Sequence, residues 1–444
     1  MSVFHAYDVR GLSPEQITPE LARGIGNALA TRLGPGEVGI GWDMRPTSPA
    51  LVDALCQGLT EGGRDVVKLG MLTTPAVYFA IGHLNLAGGV IVTASHNPAE
   101  YNGFKICREQ AIPIGGDSGL KAIEAACEAG ELHKADKPGA VREQPILSDF
   151  LDHILGQLRT PIGEMKVAID SGNGVAGPTL NALLERLPGV KATKLFFEPD
   201  GTFPNHEANP LKIETLDTLR KTVVDEGLDL GIAFDGDGDR AGFVDETGAV
   251  VESDLLTAFI AQDILAEEKG ASIVYDLRSS LVVKETIEAL GGTAIETRVG
   301  HAFIKKTMRE RGVVFGGELS GHYYWRDNSY ADSALMAVTR VLSICTREGK
   351  PLSELIKPLR RTARSGEINF RVEDKDGKIA ELKSTYAEGE QSELDGITVR
   401  FDDWWFNVRK SNTEPVLRLN LEARTPERLA EKLAELEALL GSRA

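Results

Sequence analysis

Leu230-Gly-Ile-Ala-Phe-Asp-Gly-Asp-Gly-Asp-Arg240 is the stretch on which the fold reading turns. A short apolar run bounded by turn residues reads as a buried strand, and this one runs straight into a glycine-rich acidic loop. The pattern recurs at Gly88-Gly-Val-Ile-Val-Thr-Ala-Ser-His-Asn-Pro98 and at Val313-Val-Phe-Gly-Gly-Glu-Leu-Ser-Gly-His322. Upstream of each stands a strand of a second kind that closes on an aspartate: Gly39-Ile-Gly-Trp-Asp43, Val167-Ala-Ile-Asp170 and Ile273-Val-Tyr-Asp276. Three similar α/β domains in succession explain this order. In such sheets ligands bind beyond the carboxyl ends of the strands, so the three polar loops are where chemistry is expected.

Around these anchors, strands are expected over 38–41, 89–93, 166–169, 229–234, 272–275 and 313–315, with helices over 49–61, 177–187, 280–290 and 331–343. From Glu367 the pattern changes. Residues 368–372, 397–401, 404–409 and 416–423 alternate with period two, as in an antiparallel sheet. A last helix follows, capped by Thr425, opened by Pro426, with Leu429, Leu433, Leu436 and Leu440 on one face and Gly441 as its stop. Stretches rich in charge, Pro, Gly or small residues at 134–149, 245–254 and 359–366 give the joints. The expected domains are 1–145, 146–250, 251–362 and 363–444: three similar mixed-sheet α/β domains, then a smaller α+β domain with an antiparallel sheet.

Composition agrees with several domains in a chain of 444 residues, 42% hydrophobic and 26% charged, which excludes a disordered, collagenous or disulfide-scaffold protein. Lys plus Arg number 49 against 66 Asp plus Glu, a net charge of −17, which argues against nucleic-acid binding. An anionic small substrate is still admissible, because a local cluster of cations can focus the field inside a cleft. The four cysteines form no CxxC pair, Asp8 and Arg10 stand where a signal peptide needs an apolar core, and no apolar run approaches ~20 residues. A cytoplasmic protein with no membrane segment is expected.

Each loop has a chemical and a bland reading. Ser95, at a strand end beside His96, is a nucleophile or part of a Ser/Asn-rich turn; no G-x-S-x-G elbow is present. Asp235, Asp237 and Asp239 alternate with glycines, so the backbone can turn all three carboxylates together, and like charges held so close call for a cation. Oxygen-only ligands indicate Mg²⁺ or Ca²⁺. An EF-hand needs a glutamate at the twelfth position, which from Asp235 is Glu246. Residues 241–244 read instead as a returning strand, which favours a metal loop at a strand end. Glu318 and Ser320, if the segment is extended, point the same way and suit vicinal sugar hydroxyls; the alternative is a polar turn. Arg409-Lys-Ser-Asn-Thr-Glu-Pro415 offers donors for a phosphate dianion, or is merely a hairpin loop.

Together the four loops resemble the α-D-phosphohexomutase superfamily, and most of all its bacterial phosphomannomutase/phosphoglucomutase branch. Thr93–Pro98 resembles its phosphoserine loop, 235–240 its metal loop, 317–322 its sugar loop and 409–415 its phosphate loop, in the family's order; Ala6-Tyr-Asp-Val-Arg-Gly11 and Gly300-His-Ala-Phe-Ile-Lys-Lys306 match as well. The resemblance implies four domains around a central cleft. It implies an isomerase that interconverts hexose 1-phosphate and hexose 6-phosphate through phosphoserine, with a hexose 1,6-bisphosphate as intermediate and activator. Ser95 would carry the phosphoryl group, and Asp235, Asp237 and Asp239 would hold Mg²⁺ with a phosphate oxygen of Ser95. Glu318 and Ser320 would contact the sugar, and Arg409, Ser411, Asn412 and Thr413 the phosphate that stays. Tyr7, Arg10, Lys105, Arg240, Arg278, His301 and His322 would line the cleft, with Lys105 or His322 as the acid/base; Arg278 stands where many relatives have a lysine. Phosphoglucosamine mutase, a Mg²⁺-dependent sugar phosphatase and a non-catalytic sugar-phosphate sensor are the alternatives. The partner is a small phosphosugar, and the protein a monomer or weak homo-oligomer.

Overall fold

The computed structural model describes residues 2–411 and 416–444. It divides into two compact units, Met1–Ser253 with Ser320–Leu355, and Asp254–Leu319 with Ile356–Ala444.

The first unit holds two sheets. In the first, Gly88–Val92, Val38–Trp42, Val66–Met71 and Val141–Glu143 run parallel, and Tyr101–Arg108 and Val9–Leu12 close one edge antiparallel. In the second, Leu230–Phe234, Met165–Asp170 and Val190–Leu195 are parallel, with Ala241–Asp245 returning antiparallel. The central strands are buried throughout, as their unbroken apolar runs require. The stretch 134–149 is not a plain linker: Val141–Glu143 pairs with Val66–Lys68, and the helix Leu147–Gly156 follows at once. In place of a helix over 331–343, Ala331–Asp332 is a short strand and the helix spans Ala334–Glu348. Ser333 sets that start, its hydroxyl accepting the Met336 N–H at 3.4 Å.

The second unit contains the parallel strands Thr293–Thr297, Ser272–Asp276 and Phe315–Gly317. The last lies two residues beyond its expected place, because Val313 still closes the preceding helix through its N–H to Met308 O at 3.0 Å. The antiparallel sheet of Ala363–Arg371, Val416–Ala423, Trp404–Lys410, Ile397–Arg400 and Glu390–Ser392 completes the unit. Its first strand begins inside the expected joint 359–366, with a register break between Arg364 and Glu367. Pro426–Leu440 lays Leu436 and Leu440 into a core with Phe370, Trp404, Phe406 and Leu419, and Leu429 and Leu433 pack at its margin.

The threefold repeat is physical. Asp43, Asp170 and Asp276 are all buried, and each accepts through Oδ1 the N–H two residues on: Arg45 at 3.1 Å, Gly172 at 2.8 Å and Arg278 at 2.8 Å. In each copy a strand of the second kind, Gly88–Val92, Leu230–Phe234 or Phe315–Gly317, lies parallel beside it.

Candidate active site

Within the first unit the serine and acidic loops meet. Ser95 is buried and holds φ at +52°, a left-handed conformation that costs a serine energy and persists only where its surroundings fix it. Its Oγ donates to Asp235 Oδ2 at 2.9 Å and lies 3.2 Å from His96 Nδ1. Asp235 Oδ1 accepts the N–H groups of Asp239 and Arg240, both at 3.1 Å, and so curls its own loop. Gly238 takes φ +70° in that curl, and Gly236 passes so close to Ser95 that a Cβ would stand 2.4 Å from its carbonyl oxygen. Asp237 Oδ2 receives Thr74 Oγ1 at 2.6 Å and Lys105 Nζ at 2.7 Å; Lys105 also reaches Asp239 Oδ2 at 2.5 Å. The guanidinium of Arg240 lies 3.7 Å from Asp235 and 4.0 Å from Asp239.

Asp235, Asp237 and Asp239 are all buried, and one oxygen of each lies within 4.8 Å of the others. Burial, then Asp239 and Asp237, hold the Asp235 carboxyl well above the usual range. Burial opposes ionisation of Asp239 too, but Lys105, His322 and Arg240 outweigh it and its pKa falls. Burial likewise weakens the Lys105 charge, and Asp237 and Asp239 more than reverse that, raising its pKa. Asp237 Oδ1 is buried with no hydrogen-bond donor among the described residues. Three convergent carboxylates, two of them with a buried oxygen that lacks a hydrogen-bond donor among the described residues, fit a hard divalent cation. Glu246, the twelfth residue from Asp235, instead binds the backbone N–H and hydroxyl of Ser353, so the loop is no EF-hand.

Other expected residues gather at the same place. His322 Nε2 lies 3.3 Å from Asp239 Oδ1 and 3.2 Å from Arg240 Nε, and its Nδ1 bonds Ser320 Oγ at 2.9 Å. Arg10 donates to Asn97 of the serine loop at 3.0 Å and to Asp8 at 2.6 Å, while Tyr7 is half-buried beside Gly115. The sequence reading missed Arg45, which grips the serine loop; Thr74; and Asp332, which is buried and grouped with Asp239 and His322. Residues 319–320 form a turn, so the alternation expected of an extended segment does not hold and Glu318 and Ser320 have separate neighbours.

In the second unit, Arg278 is pinned to Asp276 at 2.9 Å and faces Glu318 at 3.6 Å. Arg409 pairs with Glu367 at 2.6 Å, and burial and the nearby Arg278 lower its pKa. His301 is the first residue of the helix His301–Arg311, and Ser411 ends the strand side of the hairpin. Asn412 and Thr413 lie outside the described residues.

Comparison with known proteins agrees over the whole chain. Models of the phosphoglucomutase/phosphomannomutase α/β/α domains I, II and III match residues 1–134, 148–248 and 252–362, and that of the C-terminal domain matches 367–440. The chain belongs to the phosphoglucomutase/phosphomannomutase family. It is 42% identical to a phosphohexose mutase of Xanthomonas campestris, with 99% of both chains covered. It is 40% identical to a phosphomannomutase of Salmonella montevideo, covering 96% of this chain and 95% of that one. A solved family structure from Burkholderia thailandensis superposes with a TM-score of 0.91 at 30% identity, covering 100% of this chain and 98% of the other. The protein is thus a hexose phosphate mutase, an isomerase. No helix among the described residues is long and apolar enough to cross a membrane.

Proposed function

We propose that the protein interconverts the 1- and 6-phosphates of mannose and glucose through a phosphoryl group carried on Ser95. The observation that carries this is the hydrogen bond from Ser95 Oγ to Asp235, the first of the three converging carboxylates. Phospho-Ser95 gives its phosphoryl group to the free hydroxyl of a hexose monophosphate: the serine O–P bond breaks, a sugar O–P bond forms, and the hydroxyl proton leaves. The resulting hexose 1,6-bisphosphate, also the activator, turns over in the site and returns its other phosphate to Ser95.

Such a transfer needs positioning and charge neutralisation more than covalent help. Asp235, Asp237 and Asp239 would hold Mg²⁺, which supplies positive charge where the phosphoryl group moves. Arg10, Lys105 and Arg240 add fixed charge. Lys105 or His322 takes and returns the hydroxyl proton. Glu318 and Ser320 bind the sugar, aided by Tyr7, Arg278 and His301. Arg409, Ser411, Asn412 and Thr413 hold the phosphate that stays. The protein works in the cytoplasm as a monomer or weak homo-oligomer.

Turnover of glucose, mannose and glucosamine 1-phosphates with a bisphosphate activator tests this. Glucose and mannose differ only in the 2-hydroxyl, and a site that does not bond a group discriminates weakly there. Both should be substrates with kcat/KM within about tenfold, roughly 1.4 kcal/mol. Release of inorganic phosphate without isomerisation, or turnover of the glucosamine substrate alone, would contradict the reading.

A further inference from the structure

Arg45 is fully buried and lies outside every sequence motif described above. Its guanidinium uses all five N–H donors. Nε donates to Asp43 Oδ2 at 3.1 Å; one terminal nitrogen donates to the carbonyls of Pro98 at 2.6 Å and Tyr101 at 2.8 Å; the other donates to those of Ser95 at 3.0 Å and Asn97 at 2.6 Å. Four of the five bonds thus fall on the backbone of one loop, the loop that presents Ser95. Asp43 works on the same loop by a second route. Its Oδ2 also accepts the Thr93 hydroxyl at 2.7 Å, and that hydroxyl oxygen accepts the Ser95 N–H at 2.8 Å. Both backbone groups of Ser95 are therefore held by the Asp43–Arg45 pair, one directly and one through Thr93. The Phe203 ring lies 5.3 Å from Arg45 Cζ.

This clamp answers a problem of local energetics. A serine at φ +52° would relax to an ordinary conformation unless its neighbours forbade it, and relaxation would swing Oγ away from Asp235. A planar fork can bind four separately placed carbonyls and a carboxylate at once. A lysine ammonium, with three donors at one point, cannot.

We propose that Arg45 is a positioning residue for phosphoryl transfer: with Asp43 and Thr93 it locks the serine loop in its left-handed conformation and aims the Ser95 oxygen at the acidic loop. The inference rests on Ser95 being the phosphoryl carrier. It predicts a loss in the chemical step and not in substrate binding, since Arg45 is fully buried and four of its five hydrogen bonds hold the serine loop.

The test is Arg45→Lys in the full chain, with Thr93→Val as a milder variant that leaves Arg45 in place. For each, the thermal unfolding midpoint, kcat, KM for glucose 1-phosphate and the fraction of Ser95 phosphorylated after treatment with glucose 1,6-bisphosphate are measured. Arg45→Lys should remain folded and lower kcat by about a hundredfold, the cost of an ångström-scale misplacement, with KM unchanged within about threefold. Thr93→Val should lower kcat by about tenfold at unchanged KM. A folded Arg45→Lys with wild-type kcat, or kcat and KM shifted in parallel, overturns the proposal, because the charge alone or general integrity would then be what matters. Should Arg45→Lys not fold, Thr93→Val decides, and wild-type kcat there overturns it. Peptide mapping of the wild type separates this from the underlying reading: absence of phosphate on Ser95 in active wild-type enzyme refutes the carrier assignment itself.

Discussion

The first and third copies of the repeat use the same device for opposite ends. Each closes a strand on a buried aspartate and sets an arginine two residues later, Asp43 with Arg45 and Asp276 with Arg278. Arg45 has no side-chain exposure and spends its donors on the backbone of its neighbouring loop; Arg278 keeps 12% exposure, stays on Asp276 and looks toward the Glu318 carboxylate. Asp276 itself reaches the adjacent loop, accepting the Leu319 N–H at 2.8 Å. The difference fits the roles proposed for the adjoining loops, group transfer in the first copy and ligand binding in the third. A loop that transfers a group has to be rigid, so its arginine is consumed in holding it. A loop that binds has to offer charge to a ligand, so its arginine is restrained but presented.

The sharpest way to break this contrast is to disturb the acidic loop that the rigid copy serves. There the buried carboxylates of Asp235, Asp237 and Asp239 each bring an oxygen within 4.8 Å of the others. Asp237→Ala should lower kcat by at least about a hundredfold, roughly 2.7 kcal/mol, and chelation should abolish turnover that Mg²⁺ restores. Steady-state rates in the presence and absence of EDTA check both, and an Asp237→Ala enzyme that is fully active with chelator present refutes the metal assignment. In the third copy the expected effect is smaller and of another kind. Glu318→Ala removes a hydrogen bond from a charged group to either sugar, so kcat/KM for glucose 1-phosphate and mannose 1-phosphate should fall together by about 1.5–3 kcal/mol. Loss with one sugar alone would show a reader of the 2-hydroxyl elsewhere. The smallest effect belongs to a site outside both copies. Thr425 accepts the Arg428 N–H at 3.2 Å at the start of the last helix. Thr425→Ala should cost about 1 kcal/mol in denaturant unfolding with kcat unchanged.

What was legible followed from chemistry that is local in the chain. The aspartate-closed strands, the apolar runs into polar loops and the capped terminal helix each carry their signal within about ten residues, and period and capping rules read them. Ser95 and the three aspartates stood out because serine at a strand end and carboxylates at spacing two are chemically unusual. Arg45, Thr74 and Asp332 did not, because the loops they serve lie far off in sequence: Arg45 and Ser95 lie 50 positions apart, Thr74 and Asp237 163. The segment at 319–320 leaves two readings open for a related reason, since a polar segment after a strand fits an extended continuation as well as a turn, and the structure has the turn.

The central claim is that Ser95 carries the phosphoryl group. Active enzyme treated with glucose 1,6-bisphosphate and digested should yield the peptide containing Thr93–Pro98 with one phosphate, placed on Ser95 by fragmentation mass spectrometry, and the label should disappear on incubation with hexose monophosphate. Ser95→Ala should carry none and lose turnover by about a thousandfold or more. Phosphate found only on another residue, together with full activity in Ser95→Ala, would contradict the account.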